Sequence, residues 1–201
     1  MKFKPAFFIG AALVAMLPFT SFTGPDAKLA DVNIVLGDTS DTRRVIINDQ
    51  YSMAIPKHMK VSKELNDEAS LQYQDLEEEL YVIVIDEPKD EFVAAYKKIK
   101  DWDYDMTVTE NYRRVQVASM KKKLKMQGKP VVQKTTVGGF DTEIVDFNGK
   151  VKGIQYPISY KLGFLAAGKN VYMIMTWTLA ERKSLHNQSM NDMIRSFRLE
   201  D

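Results

Sequence analysis

Ile158-Ser-Tyr-Lys-Leu-Gly-Phe-Leu-Ala-Ala-Gly-Lys-Asn-Val171-Tyr-Met-Ile-Met-Thr-Trp177 is the stretch on which the fold turns. Ile158, Tyr160, Leu162 and Phe164 alternate with Ser159, Lys161 and Gly163, which predicts a strand with one buried face. Residues 167–170 have turn chemistry, and 171–177 is an unbroken apolar run suited to the middle of a sheet. Working outward, residues 131–137 and 143–147 read as further strands. Downstream, Thr178 with Glu181 predicts a capped final helix. Its core face is Met190, Met193, Ile194 and Phe197, at i, i+3, i+4 and i+7.

The first half of the chain repeats the hairpin theme. Runs at 45–47 and 51–55 flank Asn48, Asp49 and Gln50, and Pro56 ends the second. Leu71 and Tyr73 alternate with glutamines, an acidic turn follows at 75–79, and 81–85 is a second continuous apolar run. Pro88 and Asp90 then introduce Phe92, Tyr96 and Ile99 at helical spacing. A second helix opens on a capping box, Thr107 with Glu110. It continues with Tyr112, Val115, Ser119 and Lys122 on one face and Val117, Met120 and Leu124 on another, to a stop at Gly128 and Pro130. Strands, two helices, strands, one helix: the order predicts an α+β fold, a mainly antiparallel sheet flanked by helices in an α/β/α sandwich.

Tyr51-Ser-Met-Ala-Ile-Pro56, together with a strand-helix close running from Val171 to Ile194-Arg-Ser-Phe-Arg-Leu199, resembles the PsbP-like fold superfamily. The resemblance covers residues 45–199 in element order. That superfamily holds the extrinsic photosystem II protein, a Ran-binding import factor and many secreted bacterial proteins of unknown role. It implies an antiparallel sheet between helices and a binding or assembly module rather than an enzyme. No photosystem-docking or Ran-binding residue matches position by position, so neither activity is carried over.

Lys2 and Lys4 precede an apolar run at 5–19 interrupted by Gly10 and Pro18, the pattern of a secretory signal. The run is shorter than the ~20 residues of a comfortable span. Residues 1–24 are therefore read as a signal peptide, with Ser21 and Thr23 or residues 27–30 as cut sites, and the protein as periplasmic or secreted. The alternative is an uncleaved tether. Residues 25–42 read as a flexible linker and 43–201 as one domain. There is no cysteine, hence no disulfide and no lipoprotein anchor.

Lys and Arg number 28 against 27 Asp and Glu. A chain so near neutrality exerts no long-range pull on nucleic acid, which is excluded as a partner. Gly163 to Asn170 comes close to a phosphate-binding loop, yet Asn170 stands where a magnesium-holding hydroxyl is needed and a strand follows instead of a helix. Asp101, Asp103 and Asp105 have the spacing that opens a calcium loop, but Met106 replaces its glycine and Tyr112 its closing glutamate. The plain reading is a solvated loop whose acids favour the amino end of the next helix. Lys121, Lys122, Lys123 and Lys125 offset a helix dipole; a docking patch for anionic lipid or an acidic partner is the sharper reading, strengthened if Lys97, Lys98 and Lys100 share the face.

Neither a nucleophile elbow nor a zinc-protease motif occurs, and His58 and His186 have no ligand spacing. No catalytic, cofactor-binding or metal residue is assigned. Met173, Met175, Met190 and Met193 read as core, with a Met-lined pocket as the alternative. The expected function is a secreted, non-enzymatic interaction or assembly module of the cell envelope with a protein partner. Membrane contact is expected only transiently or through an uncleaved signal. The alternatives are a carrier of a small apolar molecule or lipid, and a hydrolase with residues scattered in sequence.

Overall fold

The computed structural model describes residues 32–35 and 41–200; the signal reading at 1–24 and most of the 25–42 linker lie outside the described residues. In chain order the elements are β1 (Val32–Val35), β2 (Thr42–Ile47), β3 (Tyr51–Pro56), β4 (Lys60–Val61), β5 (Leu71–Asp75), β6 (Leu80–Pro88), α1 (Lys89–Lys98) and α2 (Val108–Lys123). Then come β7 (Leu124–Val137), β8 (Phe140–Val151), β9 (Ile158–Ala167), β10 (Asn170–Leu179), a 3-10 turn (Ala180–Arg182), α3 (Lys183–Arg195) and β11 (Arg198–Leu199). β1, inside the stretch read as a linker, pairs antiparallel with β2.

Two antiparallel sheets result. The larger has the order β4-β5-β6-β10-β9-β8-β7, and the smaller β1-β2-β3-β11. The expected hairpins are present, and β10 sits mid-sheet between β6 and β9. At the β2–β3 turn Asn48 and Asp49 adopt φ of 50° and 52°, the left-handed region that Asn and Asp tolerate best after glycine.

Side-chain parity divides the core. Tyr81, Ile83, Leu162, Phe164, Met173, Met175 and Trp177 point to the face covered by α1 and α2, where they meet Phe92, Tyr112 and Val117. Val82, Val84, Leu165, Tyr172 and Ile174 point the other way, against Met190, Met193, Ile194 and Phe197 and the smaller sheet's Val45, Tyr51, Met53 and Ile55. The architecture is α+β, a largely antiparallel sheet buried between layers that carry helices, as expected.

Several details differ from the expectations. β9 is buried on both faces, because α3 packs over the side that carries Ser159, Lys161 and Gly163. A Cβ on Gly163 would lie 2.6 Å from Ile194 Cγ2, so the helix sits where only glycine leaves room. The second helix does not run to Gly128: it stops at Lys123, and Leu124 already begins β7. Gly128 and Pro130 instead lie within the irregularity between Gln127 and Val131 that breaks the β7–β8 register. Thr178 does not cap a helix; it is buried within β10, and α3 starts at Lys183 with no side-chain cap. The four methionines do not meet, since Met173 and Met175 belong to the α1/α2 face and Met190 and Met193 to the opposite one. Strand parity, invisible in their spacing, separates them and removes the basis for a pocket lined by all four.

Candidate functional site

The loop between α1 and α2 is the most distinctive surface. Asp101-Trp-Asp-Tyr-Asp105 occupies it, and its three carboxylates do not converge. Arg114 Nη1 donates to Asp101 Oδ1 at 2.8 Å, and Asp103 Oδ1 accepts the Asp105 amide at 3.0 Å. Among the described residues no group of three carboxylate or histidine side chains is arranged to hold a metal. Beside exposed Asp101 and Asp105, the loop displays large apolar side chains. Tyr104 is 78% exposed and Ile99 47%, while half-buried Trp102 is anchored edge-on to Phe92 at 6.1 Å. Lys97 Nζ lies 5.6 Å from the Trp102 ring centre and 5.7 Å from that of Tyr104, within cation–π range of both.

Asn111 holds this loop in shape. Fully buried in α2, its Nδ2 donates to the carbonyls of Asp103 (2.8 Å), Thr107 (3.2 Å) and Met106 (3.3 Å), and its Oδ1 accepts the Asp103 amide at 3.1 Å. The capping box adds the second clamp: Thr107 Oγ1 accepts the Glu110 amide and Glu110 Oε2 accepts the Thr107 amide. The Lys134 ammonium, with the Thr107 amide, holds the Glu110 carboxyl down at about 2. Asn111 escapes sequence reading because an asparagine inside a helical pattern looks like a solvated face; the polar loop just before the helix, rich in unpaired carbonyls, is the one signal that could have pointed to it. Asn111→Ala is expected to cost about 2 kcal/mol, by stranding the Met106 carbonyl and the Asp103 amide and leaving the Asp103 and Thr107 carbonyls with one backbone donor each. Hydrogen exchange should then quicken at residues 101–107 before the central strands.

Most titratable groups are engaged by neighbours, although the buried His186 Nε2 has no hydrogen-bond partner among the described residues. His58 Nδ1 pairs with Asp75 Oδ2 at 2.7 Å, and His186 Nε2 lies 3.5 Å from Glu78 Oε2, so both histidines attach to the β5–β6 turn. His186 is itself buried. Burial pushes the Glu87 carboxyl up, partly offset by the Tyr112 hydroxyl that donates to it at 2.9 Å. Burial also pushes Tyr81 and Tyr160 up to about 12, so neither phenol ionises near neutrality. Gly163 to Asn170 forms the β9–β10 hairpin. A cleft of about 370 Å³ lies between the amino end of α2, at Thr107 and Thr109, and the β7–β8 turn at Phe140 and Asp141. Thr109 Oγ1, in its wall, already donates to the Asp141 carbonyl and accepts the Ala166 amide.

The lysines divide between two places. Lys97 belongs to the aromatic loop beside the amino end of α2, whereas Lys121, Lys122 and Lys123 stand at its carboxyl end, sixteen residues or roughly 24 Å of helix away. Lys125 follows in β7.

No protein-family model matches the sequence, and no curated protein matches it. The fold, in contrast, has solved counterparts. Cyanobacterial PsbP (CyanoP) from Synechocystis is similar with a TM-score of 0.52 at 10% identity, over 82% of this chain and 96% of that one. LpqN from Mycobacterium tuberculosis, described as involved in cell envelope biogenesis, gives 0.47 at 10% identity, over 87% and 93%. The Ran-binding protein Mog1p from Saccharomyces cerevisiae gives 0.46 at 10% identity, over 86% and 97%. The chain has the PsbP-like fold. At such identities the likeness is one of architecture.

Proposed function

We propose that this protein is an extracytoplasmic, non-enzymatic interaction module that docks a protein partner of the cell envelope through the α1–α2 loop. The observation that carries the reading is Tyr104, 78% exposed at the tip of a loop fixed by a fully buried asparagine. A large aromatic held out in water by a rigid support loses little entropy on binding, the usual design of an interface anchor. Trp102 and Ile99 flank it, and Lys97 and the three aspartates supply a polar rim. The signal-like pattern at 1–24 supports the compartment.

A photo-crosslinking residue at position 104 tests this in the native envelope, with one at Leu185, 70% exposed on α3, as control. The same partner chain is expected repeatedly from position 104, absent from position 185, and about 30-fold less from a chain also carrying Trp102→Ala, a loss of roughly 2 kcal/mol. Repeated capture of no partner, or equal capture from both positions, overturns the reading.

A further inference from the structure

The face of the large sheet beneath α3 changes character along its length. Toward the middle it is apolar: Ile144, Gly163 and Ile174 stand in one cross-strand row, and Ile194 packs on Gly163. Two residues nearer the end of β10 the row is Asp146, Lys161 and Thr176, and two further on it is Asn148, Ser159 and Thr178. Strand parity puts all three rows on the same face.

The middle row is satisfied. Asp146 has two lysine partners, and Thr176 Oγ1 donates to the Lys161 carbonyl at 3.0 Å. The last row is not. Ser159 is 0% exposed and Thr178 1%, yet Ser159 Oγ, Thr178 Oγ1 and the buried Asn148 Oδ1 have no hydrogen-bond partner among the described residues. His186 Nε2, on the helix itself, is a fourth such atom. A polar atom buried without a partner forfeits its hydration and gains nothing in return, so whatever covers this row is held against a penalty.

The cover is the 3-10 turn with the first turns of α3, and its attachments are polar. Lys183 Nζ reaches Asp146 Oδ1 on β8 at 2.5 Å. Arg182 Nη1 donates to the Glu77 carbonyl at 3.0 Å and stands 3.4 Å from Glu78 Oε2, both in the β5–β6 turn. These anchors lie on either side of β10 and β9 in the sheet order, so the segment between them spans the end of those two strands. The Ala180 amide adds a bond to the Pro157 carbonyl at 2.9 Å. No apolar side chain secures the segment: between Leu179 and Met190 only His186 is buried, and α3 begins without a side-chain cap. The carboxyl half is the opposite case, fixed in the core by Met190, Met193 and Ile194.

We infer that residues 180–189 form a polar lid that opens locally, hinged at Met190, and lets water reach Asn148, Ser159 and Thr178 while the rest of the domain stays folded. Ion pairs close it, and the stranded row beneath favours its release. The lid lies on the face of the sheet opposite the α1–α2 loop and is independent of the partner reading.

Residue-by-residue amide hydrogen exchange on the full chain tests this. The first four amides of a helix have no partner within it, so the amides of 187–189 report the lid and those of 193–195 the anchored half. In the wild type, 187–189 are expected to exchange at least about 100-fold faster than 193–195, at a rate that low denaturant leaves unchanged, as for a local opening. Ser159→Ala with Thr178→Val places apolar groups of nearly the same shape under the lid and leaves α3 untouched. Exchange at 187–189 is then expected to slow at least about tenfold, because closing no longer strands two hydroxyls. A helix end that frays without uncovering the row does not respond to side chains buried in β9 and β10. Should the double variant fail to fold, Thr178→Val alone decides, with an expected slowing of at least about threefold. Unaltered exchange at 187–189 in the variant, or wild-type protection there equal to that at 193–195, overturns the proposal. None of these results bears on crosslinking from position 104, so the two readings fail separately.

Discussion

Trp177→Ala is expected to lower the free energy of unfolding by about 4 kcal/mol, the upper range for emptying a buried aromatic site. Trp177 is 1% exposed and stacks on Tyr81, with ring centres 5.1 Å apart and planes within 5°. The two residues face each other across the β6–β10 pairing, so the stack closes the junction between the two halves of the large sheet. The surrounding Met175, Ile83 and Tyr160 belong to a sheet buried on both faces and have little freedom to collapse into the void. Denaturant melts should show the loss as a lower midpoint at unchanged slope. A cost below about 1 kcal/mol would mean that the α1/α2 layer settles into the space and that the stack has little part in holding the sheet together.

Arg113→Met is expected to cost about 3 kcal/mol. Its Nε donates to Glu143 Oε2, and the Glu143 side chain is 5% exposed beneath α2. Removing one partner of such a pair strands a charge out of water, which is far costlier than removing both. The value sits at the low end of the usual range because Lys134 Nζ, already paired with Glu110, stands 4.0 Å from the other Glu143 oxygen and leaves that carboxylate a second cation nearby. The double variant Arg113→Met with Glu143→Leu should recover most of the loss, and the four proteins form a cycle that isolates the pair energy. A double variant as unstable as Arg113→Met alone would show that the cost lies in lost packing of the arginine stem.

The hairpins, the central strand at β10 and the core face of α3 were legible because each is written in local periodicity, and local periodicity is what burial on one face selects. The errors fall where two local signals compete. Met120 and Leu124 keep helical spacing through a lysine run that favours helix, so nothing in sequence marks Lys123 as the last helical residue; pairing of Leu124 with Val151, a long-range contact, makes the decision. Thr178 and Glu181 have capping-box spacing, but Thr178 is held in β10 by its register with Ser159. Ser159, Lys161 and Gly163 read as a solvent face because polarity was the guide. In the structure Lys161 reaches Asp146 at 3.5 Å and Gly163 makes room for Ile194, so a buried face is built from residues that look exposed. Of the docking loop, the acids were legible and the support was not: Trp102 and Tyr104 stand between the aspartates, and the buried Asn111, eight residues beyond Asp103, fixes the backbone that carries them.

The strand order also dictates when the molecule can become whole. β7, β8, β9 and β10 follow one another as a meander of neighbours, whereas β6 must wait for β10, and Ile85 pairs with Met173 across roughly 90 intervening residues. A chain made from its amino end pairs β6 with β5 and β3 with β2 early, yet leaves the other edge of β6 and the apolar face that carries Tyr51 long without their remaining partners. β10 brings the first of those partners, and α3 with Phe197 the rest, in the last few tens of residues. Assembly proceeds backward, from the end of the chain toward its beginning, and the amino-terminal half remains unable to close its own core until synthesis is all but finished.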